Sequence, residues 1–138
     1  MQVSARVRNF SHDHEVVLAT EGTQQRLAVH ARATGGGSAV NGGELLMAAL
    51  ATCYCNDLYR EAARLGIAIH GCEVVASARF NGVGSAAESV VYAVKVDSPA
   101  APGKIEFLLA ETDRLAEIHN TLRSGCPVQR TAWHEPAA

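Results

Sequence analysis

The chain has 138 residues, of which 48% are hydrophobic and 19% are charged, which is typical of one globular domain and not of a disordered segment. The formal net charge is −2 and the sequence pI is near 6.3, so no basic surface for nucleic acid is indicated. The first ten residues contain no long apolar run, and no stretch reaches the ~18 apolar residues of a membrane span. We therefore expect a cytoplasmic protein with one domain over residues 1–138, without nucleic-acid or membrane partners.

The first third of the chain predicts β-strands. The segments QVSARVRNF and EVVLAT are rich in strand-forming residues, and RLAVHARA alternates apolar with polar side chains. The intervening SHDH and TEGTQQ predict turns. The run ATGGGSAVNGG predicts a flexible loop. It lacks both the Gly-Lys-Ser/Thr ending and the dinucleotide-binding spacing, so we exclude a nucleotide site there.

A long helix follows this loop. Asn41 and Glu44 have the spacing of a capping box, and the helix is expected from Gly43 to Leu65 with Gly66 as its stop. Its first half, LLMAALATCYC, is apolar all round, which predicts burial on every side. Its second half, NDLYREAARLG, is amphipathic and is expected to reach the surface.

The last half of the chain predicts a strand pair, a second helix and a short strand. IAIHGCEVVASARF and SVVYAVKV are expected to pair antiparallel, a helix is expected from Gly103 to Arg123, and GCPVQRTAW is expected as a final strand. The fold class is therefore α+β, with antiparallel sheet, a long buried central helix and a second C-terminal helix. One sheet cannot cover an all-apolar helix, which leaves either a large internal core or a homodimer, and we favour the homodimer.

Four cysteines lie at positions 53, 55, 72 and 126. Cys53 and Cys55 are about 200° apart around a helix, so they suit neither a shared metal nor a mutual disulfide. We expect no metal site. Cys72, in a strand, is interpreted as a core residue. His119 lies on the apolar stripe of the second helix and is either a base or a core histidine.

The segment NGGELLMAALATCYCNDL resembles the central-helix signature of the OsmC/Ohr family, the osmotically inducible and organic-hydroperoxide-resistance proteins. TDRLAEIHNTLRSG resembles the end of that family's second long helix. The resemblance implies one OsmC-like domain in an intertwined homodimer with active sites at the interface. It also implies reduction of organic hydroperoxides by a thiolate, which becomes a sulfenic acid that a second cysteine resolves. No cofactor is implied beyond an external dithiol reductant.

The resemblance assigns the attacking cysteine to Cys53. Cys126, in GCPV, resembles the family's Cys-Pro and would then be the resolving cysteine. A second alignment, on the turn in NTLRSG, places Ala116 at the resolving position and Cys126 on the following strand, and we favour this second alignment. Cys55 has no required counterpart and is kept as an alternative thiol.

The family's activating residues are not matched. The position of its glutamate is Gly43, beside Glu44, and the position of its arginine falls near His12. Glu44 and Arg60 are candidate replacements, because Arg60 lies two turns beyond Cys53 on the same stripe. A thiol with a pKa near 8.5 needs such help to react at neutral pH. Two functions therefore stay open: a thiol-dependent hydroperoxide reductase, or a non-catalytic OsmC-fold protein that binds a small apolar ligand or thiol at the dimer interface.

Overall fold

The computed structural model describes residues 1–135. It contains two antiparallel sheets, with strand orders β1-β2-β3 and β4-β5, together with three helices. The elements in chain order are β1 (Val3–Phe10), β2 (Asp13–Thr20), β3 (Thr23–Leu27), α1 (Gly42–Leu65), β4 (Gly71–Phe80), β5 (Ala87–Asp97), α2 (Pro102–Leu115) and α3 (Glu117–Ser124). The chain divides into two compact units, with the boundary after Leu46. The predicted α+β class is confirmed.

The first unit is built on a three-stranded meander. β1 and β2 pair where strands were predicted, with Phe10 opposite Asp13. The expected strand RLAVHARA is wrong in position, because β3 already begins at Thr23 and ends at Leu27. The reason is the tight turn at Glu21 and Gly22, whose φ angles of 48° and 83° suit a two-residue hairpin loop.

Helix α1 begins and ends where its capping signals lie. The Asn41 N–H donates to Glu44 Oε2 at 2.8 Å, and the Glu44 N–H donates to Asn41 Oδ1 at 2.9 Å. This reciprocal pair is the predicted capping box. At the other end Gly66 takes a φ of +68°, the left-handed conformation that favours glycine after a helix.

The core of the second unit forms between α1, α2 and the β4-β5 hairpin. Tyr54, Leu58 and Ala62 follow each other at intervals of four residues on α1, and with Leu108 of α2 they are fully buried. The apolar side chains that pack against this cluster come from the end of α1, the α1–β4 connection, both strands and α2: Leu65, Ile67, Ile69, Cys72, Val74, Tyr92, Val94, Val96 and Leu109.

Two expectations for the C-terminal part are wrong. The single helix predicted from Gly103 to Arg123 is two helices, because Ala116 adopts an extended conformation with φ −71° and ψ 109°. The expected final strand in GCPVQRTAW is absent from the described residues, where positions 126–135 form no regular secondary structure. The antiparallel β4-β5 pair is confirmed.

The first half of α1 is not buried on every side within one chain. Leu45 keeps 36% of its surface exposed, and Ala48, Ala49 and Thr52 are also exposed. The expectation of full burial is therefore wrong for the single chain. None of the helices in residues 1–135 combines the length and apolar character that crossing a bilayer requires.

Candidate active site

A polar stripe runs along α1 beside the apolar one. Cys53, Asp57 and Glu61 follow each other at intervals of four residues, so their side chains leave the same face of the helix. Asp57 is 6% exposed and Glu61 is 2% exposed. Buried carboxylates are costly unless they are paired, so this stripe requires cationic partners.

Two arginines supply those partners. Arg60 Nη1 donates to Asp57 Oδ1 at 2.8 Å, and its Nε donates to Glu61 Oε2 at 3.3 Å. Arg64 Nε donates to Glu61 Oε1 at 2.8 Å, and this hydrogen bond lowers the pKa of Glu61. Arg60, which the sequence suggested as an activator of Cys53, therefore reaches Cys53 only indirectly: it hydrogen-bonds Asp57, and Asp57 accepts the hydrogen bond of the Cys53 thiol.

The break at Ala116 brings the start of α3 to Cys53. Ala116 is 0% exposed, and its carbonyl accepts the Asn120 N–H at 3.0 Å, which closes the first turn of α3. The first N–H groups of a helix have no partner within the helix, and that of Ile118 lowers the pKa of the Cys53 thiol. Glu117 Oε2 lies 3.9 Å from the same sulfur.

The Cys53 thiol faces a carboxylate directly. Its Sγ donates to Asp57 Oδ2 at 3.6 Å. Burial raises the pKa of Cys53, the Ile118 N–H opposes that shift, and the charges of Asp57 and Glu117 add to it. Burial also raises the pKa of Asp57, against the lowering effect of Arg60. The proton therefore stays on the sulfur at neutral pH, with Asp57 as the acceptor within reach.

The other sequence-predicted residues lie elsewhere. Glu44 is engaged in the capping box, nine residues before Cys53 on α1, which corresponds to about 13 Å along the axis. Cys55 faces away from the polar stripe, with its Sγ 3.5 Å from that of Cys72. Cys126 is exposed, in the segment after α3.

His119 belongs to an aromatic cluster. It is 3% exposed, and its ring lies edge-on to Tyr92 at 4.6 Å between centroids and 5.6 Å from that of Tyr54. Within residues 1–135 neither ring nitrogen has a hydrogen-bond partner. Burial lowers the pKa of His119, so the ring is neutral and serves the core. Of the two interpretations left open, the structure favours the core histidine.

Asp57 and Glu117 are the site residues that the sequence did not single out. Asp57 has a signal, since it lies four residues after Cys53 on a helix. Glu117 has no such signal in the sequence, because a helix that continued through Ala116 would not bring Glu117 to Cys53.

The ligand atoms of Cys53, Asp57 and Glu117 lie within 4.8 Å of one another, and a thiol with two carboxylates has the donor atoms that zinc accepts. Arg60 already hydrogen-bonds one oxygen of Asp57.

The fold and this site define an α+β protein with a helix cysteine enclosed by carboxylates and a helix N-terminus. The family model described as OsmC-like protein matches residues 35–131, well over half of the chain. The chain therefore belongs to the OsmC-like family, as its central helix indicated. The comparison with curated proteins finds no match.

Solved structures of this fold agree over most of the chain. An OsmC-like protein from Mycoplasma pneumoniae is 17% identical with a TM-score of 0.64, covering 88% of this chain and 89% of its own. An organic hydroperoxide resistance protein OsmC from Legionella pneumophila is 18% identical with a TM-score of 0.57, covering 89% and 90%. An organic hydroperoxide resistance protein from Elizabethkingia anophelis is 15% identical with a TM-score of 0.63, covering 91% and 90%. These similarities establish the fold alone.

Proposed function

We propose that the protein is a thiol-dependent reductase of organic hydroperoxides in which Cys53 supplies the attacking sulfur. The observation that carries the proposal is the contact of that sulfur with a proton acceptor, Asp57 at 3.6 Å, beside the start of α3, where the Ile118 N–H lowers the pKa of the thiol. Structural neighbours described as organic hydroperoxide resistance proteins support it. A reducing compartment, the cytoplasm, suits a site that must return to the thiol.

The reaction begins with transfer of the Cys53 proton toward Asp57 as the sulfur attacks the distal peroxide oxygen. The O–O bond breaks, the sulfur becomes a sulfenic acid, and the alkoxide takes the transferred proton to leave as the alcohol. Arg60, on the other oxygen of Asp57, orients that carboxylate. The Ile118 N–H stabilises negative charge as it develops on the sulfur.

Return of the sulfenic acid to the thiol requires a second sulfur. Glu117 and Ile118, which contact Cys53, directly follow Ala116, which favours the alignment that gives Ala116 the resolving position. Alanine has no thiol, so we assign resolution to an external dithiol. One of its thiols attacks the Cys53 sulfur and releases water, and the other displaces Cys53 and closes the reductant's own disulfide. Cys126 stays as the alternative resolving thiol.

The proposal includes a homodimer. The exposed first half of α1, with Leu45, Ala48 and Ala49, is an apolar helix surface that a second copy would cover. The strands carry further exposed apolar side chains, including Val7, Phe10, Val75 and Val91. An exposed apolar helix surface is typical of an interface, and we assign the surface of α1 to contact with the second copy.

The deciding experiment compares wild type with Cys53→Ser in turnover of cumene hydroperoxide with dihydrolipoamide as reductant. We expect the variant to fall to the uncatalysed rate while its circular dichroism is unchanged. Thr52→Ser is the matched control, since it removes one methyl group from the exposed neighbouring side chain. Unchanged turnover in Cys53→Ser would overturn the proposal. Loss of turnover in Cys126→Ser would assign resolution to Cys126.

The raised pKa of Cys53 favours one second candidate: a non-catalytic family member that binds a small apolar ligand or thiol at the dimer interface. A mostly protonated thiol reacts slowly. In that case wild type would show no turnover above background, and native mass spectrometry would detect a bound molecule on the dimer. An empty protein without turnover would contradict both candidates.

A further inference from the structure

A second pair of thiols lies on another face of α1. The sulfur atoms of Cys55 and Cys72 are 3.5 Å apart, which is direct contact. Cys55 comes from α1, two residues after Cys53 and therefore about 200° around the helix. Cys72 comes from β4, where it is paired with Val96 of β5. Both cysteines belong to regular elements of one compact unit, so the fold itself holds the two thiols together.

The surroundings keep this contact in place. Cys72 packs against the buried cluster that includes Tyr54 and Leu58, which lie on α1 one residue before and three residues after Cys55. A disulfide bond is about 2.05 Å long, so closure needs the two sulfur atoms to approach each other by roughly 1.5 Å. Within residues 1–135, no other pair of cysteine sulfurs is in contact.

We propose that Cys55 and Cys72 form a second redox site, a dithiol that hydroperoxides oxidise to a disulfide linking α1 to β4. This site shares no residue with the Cys53 site and does not depend on the role proposed for Cys53. Both thiols are half-buried and not sealed in the core, which leaves a path for a small oxidant.

The reaction uses one hydroperoxide for each disulfide. The Cys55 sulfur attacks the distal peroxide oxygen, the O–O bond breaks, and the alcohol leaves with the thiol proton. The Cys72 sulfur then attacks the Cys55 sulfenic acid, the S–O bond breaks, and water leaves with the second proton. Two thiols have lost two electrons and the peroxide has gained them. Burial raises the pKa of Cys72 to about 11, which disfavours Cys72 as the first attacking sulfur.

Peptide mapping tests the proposal in the full-length protein. Because trypsin leaves Cys53 and Cys55 on one peptide, with cleavage at Arg60 and Arg64 before Cys72, the Cys53→Ser variant gives the unambiguous map. That variant is treated with one equivalent of tert-butyl hydroperoxide, blocked with N-ethylmaleimide and digested without reductant. We expect a peptide pair joined through Cys55 and Cys72, which dithiothreitol separates. Recovery of both as labelled free thiols at tenfold excess peroxide would overturn the proposal.

Two further variants keep the test independent of folding. When Cys72→Ala is added to the Cys53→Ser variant, we expect Cys55 to stop at the sulfenic acid and be trapped by dimedone, and absence of that adduct would contradict the first step. Cys126→Ser in the same background is the control, and it should form the same disulfide as the Cys53→Ser variant. The oxidised protein should melt roughly 10 °C higher than the reduced protein, and this difference should vanish in Cys72→Ala. A Cys55–Cys126 link in place of Cys55–Cys72 would overturn the assignment.

Discussion

At the scale of single residues, the groups around Cys53 shift the pKa of its thiol in opposite directions. The Ile118 N–H lowers the pKa of the thiol, while burial and the nearby carboxylates of Asp57 and Glu117 raise it, and the net direction is upward. A raised pKa means that the protonated thiol persists to higher pH than in a free cysteine. The proposed function therefore relies on proton transfer to Asp57 during the attack, and not on a thiolate that is already present at neutral pH.

The pH dependence of Cys53 alkylation follows from that direction. The rate with iodoacetamide should be low at pH 7 and should still be rising at pH 9, because only the thiolate reacts. Peptide mass spectrometry of Cys53 between pH 6 and 11 measures it, with exposed Cys126 in the same digest as an internal reference. A Cys53 rate that is already constant below pH 7 would contradict the raised pKa.

Replacement of Asp57 distinguishes the effect of its negative charge on the pKa of Cys53 from its role as a proton acceptor. Asp57→Asn removes a negative charge 3.6 Å from the sulfur and should lower the pKa of Cys53, so alkylation at pH 7 should become roughly threefold to tenfold faster. Hydroperoxide turnover should fall at least tenfold, because the proton acceptor is gone. Glu117→Gln is the control for charge alone, with faster alkylation and nearly unchanged turnover. If Asp57→Asn moves both rates in the same direction, the assigned role of Asp57 is wrong.

At the scale of secondary-structure elements, the break between α2 and α3 builds the site. It turns Ala116 into a buried corner and directs the Ile118 N–H at Cys53. The sequence could not predict this break, because the apolar spacing continues through Leu115 and Ala116 and no proline or glycine marks it.

Strong local signals predicted other elements correctly, namely the capping box at Asn41 and the alternation in β4 and β5. Where turn chemistry competed with alternation, as at β3, the tight turn determined the register.

In the candidate site too, the residues with local sequence signals were predictable, and those brought in by tertiary structure were not. Cys53 was predictable from the family signature, and Asp57 was within reach of helical spacing. The contributions of Glu117 and Ile118 depend on tertiary structure, since they come from a separate helix more than sixty residues away. Glu44 was attractive by spacing, yet the structure gives it a capping role that local hydrogen bonding already explains.

Ala116 offers a direct test of the resolving position. Ala116→Cys should place a thiol next to Cys53, because the two residues that follow it contact that sulfur. One equivalent of hydroperoxide should then produce a disulfide between Cys53 and the introduced cysteine, and over-oxidation of Cys53 to the sulfinic acid should fall severalfold. Intact and peptide mass spectrometry measure both. Ala116→Ser controls for the added volume at this buried corner, and an unlinked Cys53 in the cysteine variant would contradict the alignment.

The polar stripe on α1 predicts a pH-dependent stability. Arg64 lowers the pKa of Glu61, so the folded state favours the ionised carboxylate. That stabilisation is present above the unfolded pKa of about 4.3 and is lost as the pH falls through the lower, folded value. Glu61→Gln should lower the free energy of unfolding by about 2 kcal/mol at pH 7, and the difference from wild type should shrink below pH 4. Urea unfolding at several pH values measures it, and a constant difference would contradict the ion pair.

At the scale of the whole molecule, the apolar surface of α1 predicts a homodimer. Sedimentation equilibrium should give twice the chain mass of 14.6 kDa. Leu45→Glu should shift the protein toward the monomer, because it places a charge on the exposed apolar half of α1, where an interface would have to bury it unpaired. Val83→Glu adds the same charge in the fully exposed loop between β4 and β5 and should leave the mass unchanged. A wild-type protein that sediments as a stable monomer at micromolar concentration would rule out the dimer, and the exposed α1 surface would then need another partner.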